Sequence, residues 1–289
     1  MMDSRIAAGL IATLLVQQPL FHVDTRLVVV QATVRNTRGE LVTNLERDAF
    51  TVYENGKRQP IMLFGQEDVP VSIGLLIDNS GSMRSLRAQV EAAALAFARA
   101  SNPRDEMFVL NFADRSHLDV PFTSDVHVLE AGIARVDSIG GTAMWDAVEA
   151  AEAYVEGGSH DRKVLVVITD GGDNASLSTA DRVRRLAERG NVVIDAIGLF
   201  SNTAAAKGAR HDLDQLTERT GGIAHYPTDI DQIDRAALDL AEQIRRQYTI
   251  GYAPTNQALD GTYRAIKVTV AANERMVVRT RPGYRASPP

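Results

Sequence analysis

The run Val71-Ser72-Ile73-Gly74-Leu75-Leu76-Ile77 is almost continuously apolar and stops abruptly at Asp78. A run that does not alternate predicts a strand buried on both faces, the situation of a parallel sheet covered on each side by helices. Leu86, Val90, Ala94 and Phe97 follow at helical spacing, in a helix expected from about Arg84. The same succession recurs downstream. Strands are expected at Met107 to Phe112, Val164 to Thr169, Val192 to Leu199 and Ile223 to Tyr226. Helices are expected at Val128 to Ile139, Ala143 to Val155, Ala180 to Arg189, Leu213 to Thr220 and Ile233 to Arg246. This alternation predicts an α/β fold: a doubly wound, mostly parallel sheet flanked by helices.

On either side of this region the pattern is β. Leu27 to Val34 is rich in β-branched residues, Phe50 to Glu54 alternates, and Asn55-Gly56 is a tight-hairpin signal before Arg58 to Phe64. After the last helix, Tyr248 to Tyr252, Tyr263 to Val270 and Met276 to Thr280 read as strands. Each flank is too small to stand alone. They are therefore expected to pair as one β-sandwich-like domain, into which the α/β domain is inserted. The resulting division is a leader at 1–21, a β-segment at 22–68, the α/β domain at 69–247 and a second β-segment at 248–286.

The leader prediction rests on Ile6 to Val16, an apolar run behind Arg5. It is shorter than the ~20 residues of a membrane span and has the length of a secretory signal core. An ordinary N-terminal helix or strand is the competing reading. The chain has no cysteine, which excludes disulfides, thiolate metal sites and cysteine nucleophiles. Its net charge of −6 argues against nucleic acid as the partner, since phosphate contacts need a basic surface.

The chemistry sits in three loops. Asp78-Asn79-Ser80-Gly81-Ser82 ends the first apolar strand, Gly140-Gly141-Thr142-Ala143 separates two helical patterns, and Thr169-Asp170-Gly171-Gly172-Asp173-Asn174 ends another apolar strand. In open parallel sheets, sites form beyond the carboxyl ends of the strands, where strand order reverses. If the strands ending at Ile77 and Thr169 are neighbours, Asp78, Ser80, Ser82, Thr142 and Asp170 converge. Carboxylate and hydroxyl oxygens suit a hard divalent cation. Not all need be direct ligands, because magnesium prefers an octahedron at ~2.0–2.1 Å and keeps several waters. Asn79 and Met83 are expected beside the ion, at its rim.

Each of these residues also has a plainer reading. Ser80 and Ser82 could cap the helix that follows them, Thr142 could cap the helix from Ala143, and Asp170 could be a turn residue. Asp173 is read as a solvated loop residue, with a role behind the ion as the alternative. Trp145 is read as a core residue. The histidines are scattered without metal-ligand spacing and are read as surface or structural.

The five oxygen-bearing residues resemble the metal-ion-dependent adhesion site of von Willebrand factor type A domains. Asp78-x-Ser80-x-Ser82 matches its Asp-x-Ser-x-Ser motif, and Thr142 and Asp170 match its separate threonine and aspartate. The resemblance spans about Val69 to Gln247. It implies Ser80, Ser82 and Thr142 as direct ligands, with Asp78 and Asp170 acting mainly through water. It also implies a protein partner that supplies Asp or Glu to the remaining position. The implied cation is Mg²⁺, with Mn²⁺ and Ca²⁺ as alternatives. The flanks, from Asp48-Ala49-Phe50-Thr51-Val52-Tyr53-Glu54-Asn55-Gly56-Lys57 and Tyr248-Thr249-Ile250-Gly251-Tyr252 to Gly261-Thr262-Tyr263-Arg264-Ala265-Ile266-Lys267-Val268, resemble the acidobacterial-type VWFA-related family. That family is usually exported. The implied location is therefore periplasmic or extracellular in a bacterium, with no membrane span once the leader is removed.

Three functions compete on this reading. The first is a non-enzymatic adhesion-type module whose cation bridges the loops to an acidic residue of a partner. The second is a metal-assisted hydrolase using the open coordination position. Against it, the sequence has no Gly-x-Ser-x-Gly elbow, no phosphate-binding Gly-Lys-Ser/Thr loop and no His-Glu-x-x-His helix. The third is an envelope scaffold with a fold-stabilising ion.

Overall fold

The computed structural model describes residues 26–134, 139–200, 204–272 and 274–287. The predicted leader lies outside them. In chain order the first strands are β1 (Val28–Arg35), β2 (Phe50–Glu54), β3 (Lys57–Gln59) and β4 (Ile61–Gly65). The α/β region follows with β5 (Val71–Asp78), α1 (Arg87–Ala100), β6 (Glu106–Phe112), β7 (Ser116–Thr123), α2 (Val126–Ile133), α3 (Met144–Val155), β8 (Arg162–Thr169), α4 (Ala180–Ala187), β9 (Val193–Gly198), α5 (Ala204–Thr220), β10 (Ala224–His225) and α6 (Ile230–Arg245). The chain closes with β11 (Tyr248–Tyr252), β12 (Tyr263–Val270), β13 (Val277–Arg279) and β14 (Gly283–Arg285).

The central sheet has the order β10-β9-β8-β5-β6-β7. All its pairings are parallel except that of β7, which returns antiparallel along β6. Because successive strand residues point to opposite faces, the buried run of β5 feeds two cores. Ile73, Leu75 and Ile77 pack with Val90 and Phe97 of α1, Leu129 of α2 and Leu240 of α6. Leu76 packs on the other face with Phe108, Val148 of α3 and Leu213 of α5. Gly74 is required here. A Cβ at this position would lie 2.3 Å from the Phe108 ring and 2.6 Å from Leu165. No helix among the described residues is long and apolar enough to cross a membrane.

The flanking strands interleave. One four-stranded sheet has the order β13-β1-β11-β4 and the other β14-β12-β2-β3, so each combines both ends of the chain. β1 lies antiparallel between β11 and β13, with Val28 opposite Tyr252 and Val34 opposite Val278. The sheets share an apolar core that includes Val30, Phe50, Val52, Tyr248, Ile250, Ile266 and Tyr284. The Asn55-Gly56 signal is realised as a two-residue turn joining β2 to β3, with φ of 48° and 78°, the conformation such hairpins require. This β module is tied to the α/β region by Arg35 to Asp239 at 3.0 Å and by Arg285 to Glu188 at 2.8 Å.

Some elements differ from expectation. The helix read at Val128 to Ile139 is shorter and earlier. Asp125 caps it by accepting from the His127 N–H at 2.9 Å, and it ends at Ile133. The helix read from Arg84 begins at Arg87, after a 3₁₀ turn over Gly81–Ser85. α5 reaches back to Ala204, through an alanine-rich stretch of high helix propensity. β7 and β14 were not expected. β7 is an edge strand in which Leu118, Val120 and Phe122 alternate with His117, Asp119 and Pro121, and an edge tolerates a proline that a central strand would not.

Candidate metal centre

The carboxyl ends of β5 and β8 are adjacent, with Ile77 opposite Ile168. β5 has β6 on one side and β8 on the other, so this is the point at which strand order reverses. Asp78 and Thr169 are the last residues of their strands. Asp78 is fully buried, and both its oxygens are engaged. Oδ1 accepts from the Ser80 N–H at 2.8 Å and Oδ2 from the Thr169 hydroxyl at 2.6 Å.

The first bond folds the chain back after the strand and aims the two serines at one another. The Oγ atoms of Ser80 and Ser82 are 3.0 Å apart, and the Ser82 hydroxyl donates to Asp170 Oδ1 at 2.8 Å. Thr142 is buried beside them: a Cβ on Gly171 would lie 3.6 Å from its Oγ1. All five predicted residues thus gather at the carboxyl end of the sheet.

The threonine loop is held from two sides. The Asn79 N–H donates to Phe112 O at 2.7 Å, Ile139 N–H to Asn79 O at 3.1 Å and Gly81 N–H to Gly140 O at 3.1 Å. Asp114 Oδ1 accepts from the Gly141 N–H at 2.7 Å. Gly140 has φ +97°, and a Cβ there would meet Asp114 Oδ2 at 2.3 Å, so only glycine fits. Asn174 Oδ1 accepts from the Thr142 N–H at 2.9 Å.

Neither serine nor threonine caps a helix. Ser80 makes no side-chain cap bond, and the residue at the start of α3 is Ala143. The cap of α3 comes from Asp173, whose Oδ2 accepts from the Trp145 N–H at 3.0 Å and from the Ser176 hydroxyl. Asp173 is therefore a structural residue of the loop rather than a solvated one. Asn79 and Met83 do not form a rim. The Asn79 side chain is buried and accepts from Arg87, and Met83 is fully buried in the core. Trp145 is buried, with the Arg184 guanidinium 5.7 Å from its ring centroid.

Burial dominates the electrostatics of the two carboxylates. Burial pushes Asp78 up to about 6, against the lowering effect of its bonds from Thr169 and Ser80, and the charge of Asp170 pushes the same way as burial. Burial also raises Asp170, opposed by its bond from Ser82. Among the described residues no basic side chain is hydrogen-bonded to either carboxylate, and no cluster of three or more His, Cys, Asp or Glu side chains could hold a metal. The oxygen set fits a hard cation. Ser80 Oγ and Ser82 Oγ are hydrogen-bonded to each other at 3.0 Å, so both hydroxyls face the same point beside Asp170.

Residues 73–172, which carry these loops, match the family model of the von Willebrand factor type A domain. This stretch is similar to type A domains. Solved structures of similar fold include a von Willebrand factor type A protein from Catenulispora acidiphila, with TM-score 0.55 and 12% identity over 92% of this chain and 75% of that one. Proximal thread matrix protein 1 from the mussel byssus, with a zinc-occupied MIDAS motif, gives 0.53 and 18% over 66% of this chain and 49% of its own. An aerotolerance-related membrane protein from Bacteroides fragilis gives 0.51 and 16% over 60% of this chain and 98% of that one. Such identities show the fold alone, and this chain spans about half of the mussel protein. No curated protein matches it. Around these loops, sequence reasoning assigned no role to Thr169, Asp114 or Asn174. None belongs to the Asp-x-Ser-x-Ser motif, and each acts by fixing a neighbour.

Proposed function

We propose that the chain is a non-enzymatic protein-binding module in which a divalent cation, Mg²⁺ first among the candidates, joins its loops to an acidic side chain of a partner protein. Ser80, Ser82 and Thr142 would hold the ion directly, and Asp78 and Asp170 would hold it through water. The ion supplies a positive charge with a coordination position left for a foreign carboxylate. One observation carries this reading: Asp78 and Asp170, to which no basic side chain among the described residues is hydrogen-bonded, lie against the hydrogen-bonded hydroxyls of Ser80 and Ser82. Thr169 fixes the orientation of the Asp78 carboxylate, and Asn174 fixes the backbone of Thr142.

A binding role is favoured over hydrolysis because no histidine among the described residues is hydrogen-bonded to any of the five side chains, and because both Asp78 oxygens are occupied. Export, inferred from the leader and the flank resemblance, would place the partner in the cell envelope or outside it. The test is affinity capture from a bacterial envelope fraction with the full chain as bait. Capture is expected with Mg²⁺, and is expected to be lost with EDTA or with Asp78→Ala. Equal capture in all three conditions would overturn the reading.

A further inference from the structure

The guanidinium of Arg87 joins three parts of the chain that meet behind the oxygen cluster. Its Nε donates to Glu91 Oε1 at 2.6 Å, one turn along α1. Nη1 donates to the Asn79 side-chain oxygen and Nη2 to the Ile133 carbonyl. Only 13% of the side chain is exposed. Asn79 stands between Asp78 and Ser80, and Ile133 is the last residue of α2, from which the chain runs on to the threonine loop.

Helix electrostatics explain why an arginine in this place points across the fold. Arg87 opens α1, where a cation opposes the helix dipole and the first turn holds no acidic residue to offset it. The same guanidinium lies at the closing end of α2, where the final carbonyls lack intrahelical partners and a cation is favoured. Three acceptors in three directions match the rigid fork of an arginine, which a lysine ammonium does not reproduce.

Backbone bonds join the same loops. The Asn79 N–H donates to Phe112 O at 2.7 Å, and Asn79 O accepts from the Ile139 N–H at 3.1 Å. The Gly81 N–H donates to Gly140 O at 3.1 Å. The bonds of Ile139 and Gly81 bridge the serine loop to the threonine loop. Arg87 braces that bridge at both ends, through Asn79 on the serine side and through the end of α2 on the threonine side.

We propose that Arg87 is a positioning residue of the metal centre, fixing the serine loop against the threonine loop so that Thr142 meets the ion together with Ser80 and Ser82. The role presupposes the cation reading of the Asp78 to Asp170 cluster. Its consequence is selectivity: a braced set of hydroxyls suits the strict octahedron of Mg²⁺, whereas Ca²⁺ accepts more oxygens in a flexible geometry.

The test compares the unaltered full chain with Arg87→Met, which keeps the stem and removes the donors. Mg²⁺ affinity in calorimetry is expected to fall roughly tenfold, and Ca²⁺ affinity by less than about threefold. In the metal-free chain the amides of Ile139 and Gly81 are expected to exchange with solvent roughly tenfold faster. In a Thr142→Ala background the same substitution is expected to leave Mg²⁺ affinity within about twofold, because its effect runs through Thr142. Arg87→Lys, whose single ammonium does not span three acceptors, carries the same comparison if the methionine variant does not fold. Unchanged Mg²⁺ affinity, equal losses for Mg²⁺ and Ca²⁺, unchanged amide exchange, or an undiminished loss in the Thr142→Ala background overturns this role alone, as does failure of both variants to fold. Failure of the unaltered chain to bind Mg²⁺ overturns the cation reading and this role with it.

Discussion

Thr169 shows how much of the cluster depends on a residue that never faces it. Its hydroxyl is the donor to Asp78 Oδ2, while Ser80 N–H serves the other oxygen, so the carboxylate has no rotational freedom. Groups that orient metal-holding side chains typically matter by 10–100-fold in affinity. Thr169→Val, which keeps the shape of the strand end, is therefore expected to weaken Mg²⁺ binding by about that factor in isothermal calorimetry while the chain stays folded. Unchanged affinity would mean that Asp78 is held by its backbone bond alone. This dependence was not legible in the sequence. Thr169 reads as the last residue of an apolar strand, and only the parallel register that places Ile168 beside Ile77 reveals what its hydroxyl meets. The gathering of Asp78, Ser80 and Ser82 near Asp170 could be anticipated from the Asp-x-Ser-x-Ser spacing and the two strand ends, whereas Thr142 was singled out only by the resemblance.

At the scale of elements, β9 carries a polar residue into the middle of the sheet. Asp195 is fully buried, its Oδ1 accepts from the Ile223 N–H at 2.7 Å, and its Oδ2 has no hydrogen-bond partner. Burial pushes this carboxyl up to about 7 from an ordinary value of 3.8, against the lowering effects of Ile223 and Arg279. The folded chain therefore holds the proton more tightly than the unfolded one. The contribution of Asp195 to stability is full below about 4, declines as pH rises and levels off above about 7. Asp195→Asn keeps an acceptor for Ile223 and removes the titration. The melting temperature of the variant relative to the unaltered chain is expected to climb between those two pH values, in a thermal-shift series. A flat difference would show that Asp195 stays charged. Elements with a continuous apolar run, such as β5, or a strong period, such as β12, were read correctly. β7 was not, although Leu118, Val120 and Phe122 alternate, because Pro121 interrupts a strand reading; the start of α5 was not, because an alanine-rich stretch leaves no apolar stripe to read.

At the scale of the molecule, the α/β domain is an insertion in a β module made from both flanks. β1 has β11 on one side and β13 on the other, and β2 has β12 as a neighbour. A chain ending at Gln247 keeps β1 to β4 and loses all these partners. It is expected to retain the α/β core while residues 26–65 become sensitive to limited proteolysis and exchange their amide protons rapidly. Persistent protection there would mean that the N-terminal strands are stable by themselves. The pairing of the two flanks could be anticipated from their size, since neither can bury its own strands. Their interleaving could not, because register between distant strands is set by packing that the sequence does not display.

The interleaving also imposes a delay. Gln31 and Thr249, whose side chains meet at 3.0 Å, are 218 residues apart. A ribosome adding about 5–20 residues per second leaves β1 waiting on the order of 10–40 s for the strand it needs. Through that interval the nascent N-terminal ribbon is a naked ladder edge, so a holding chaperone or early passage through a translocation pore would protect this protein more than a faster catalyst of folding could.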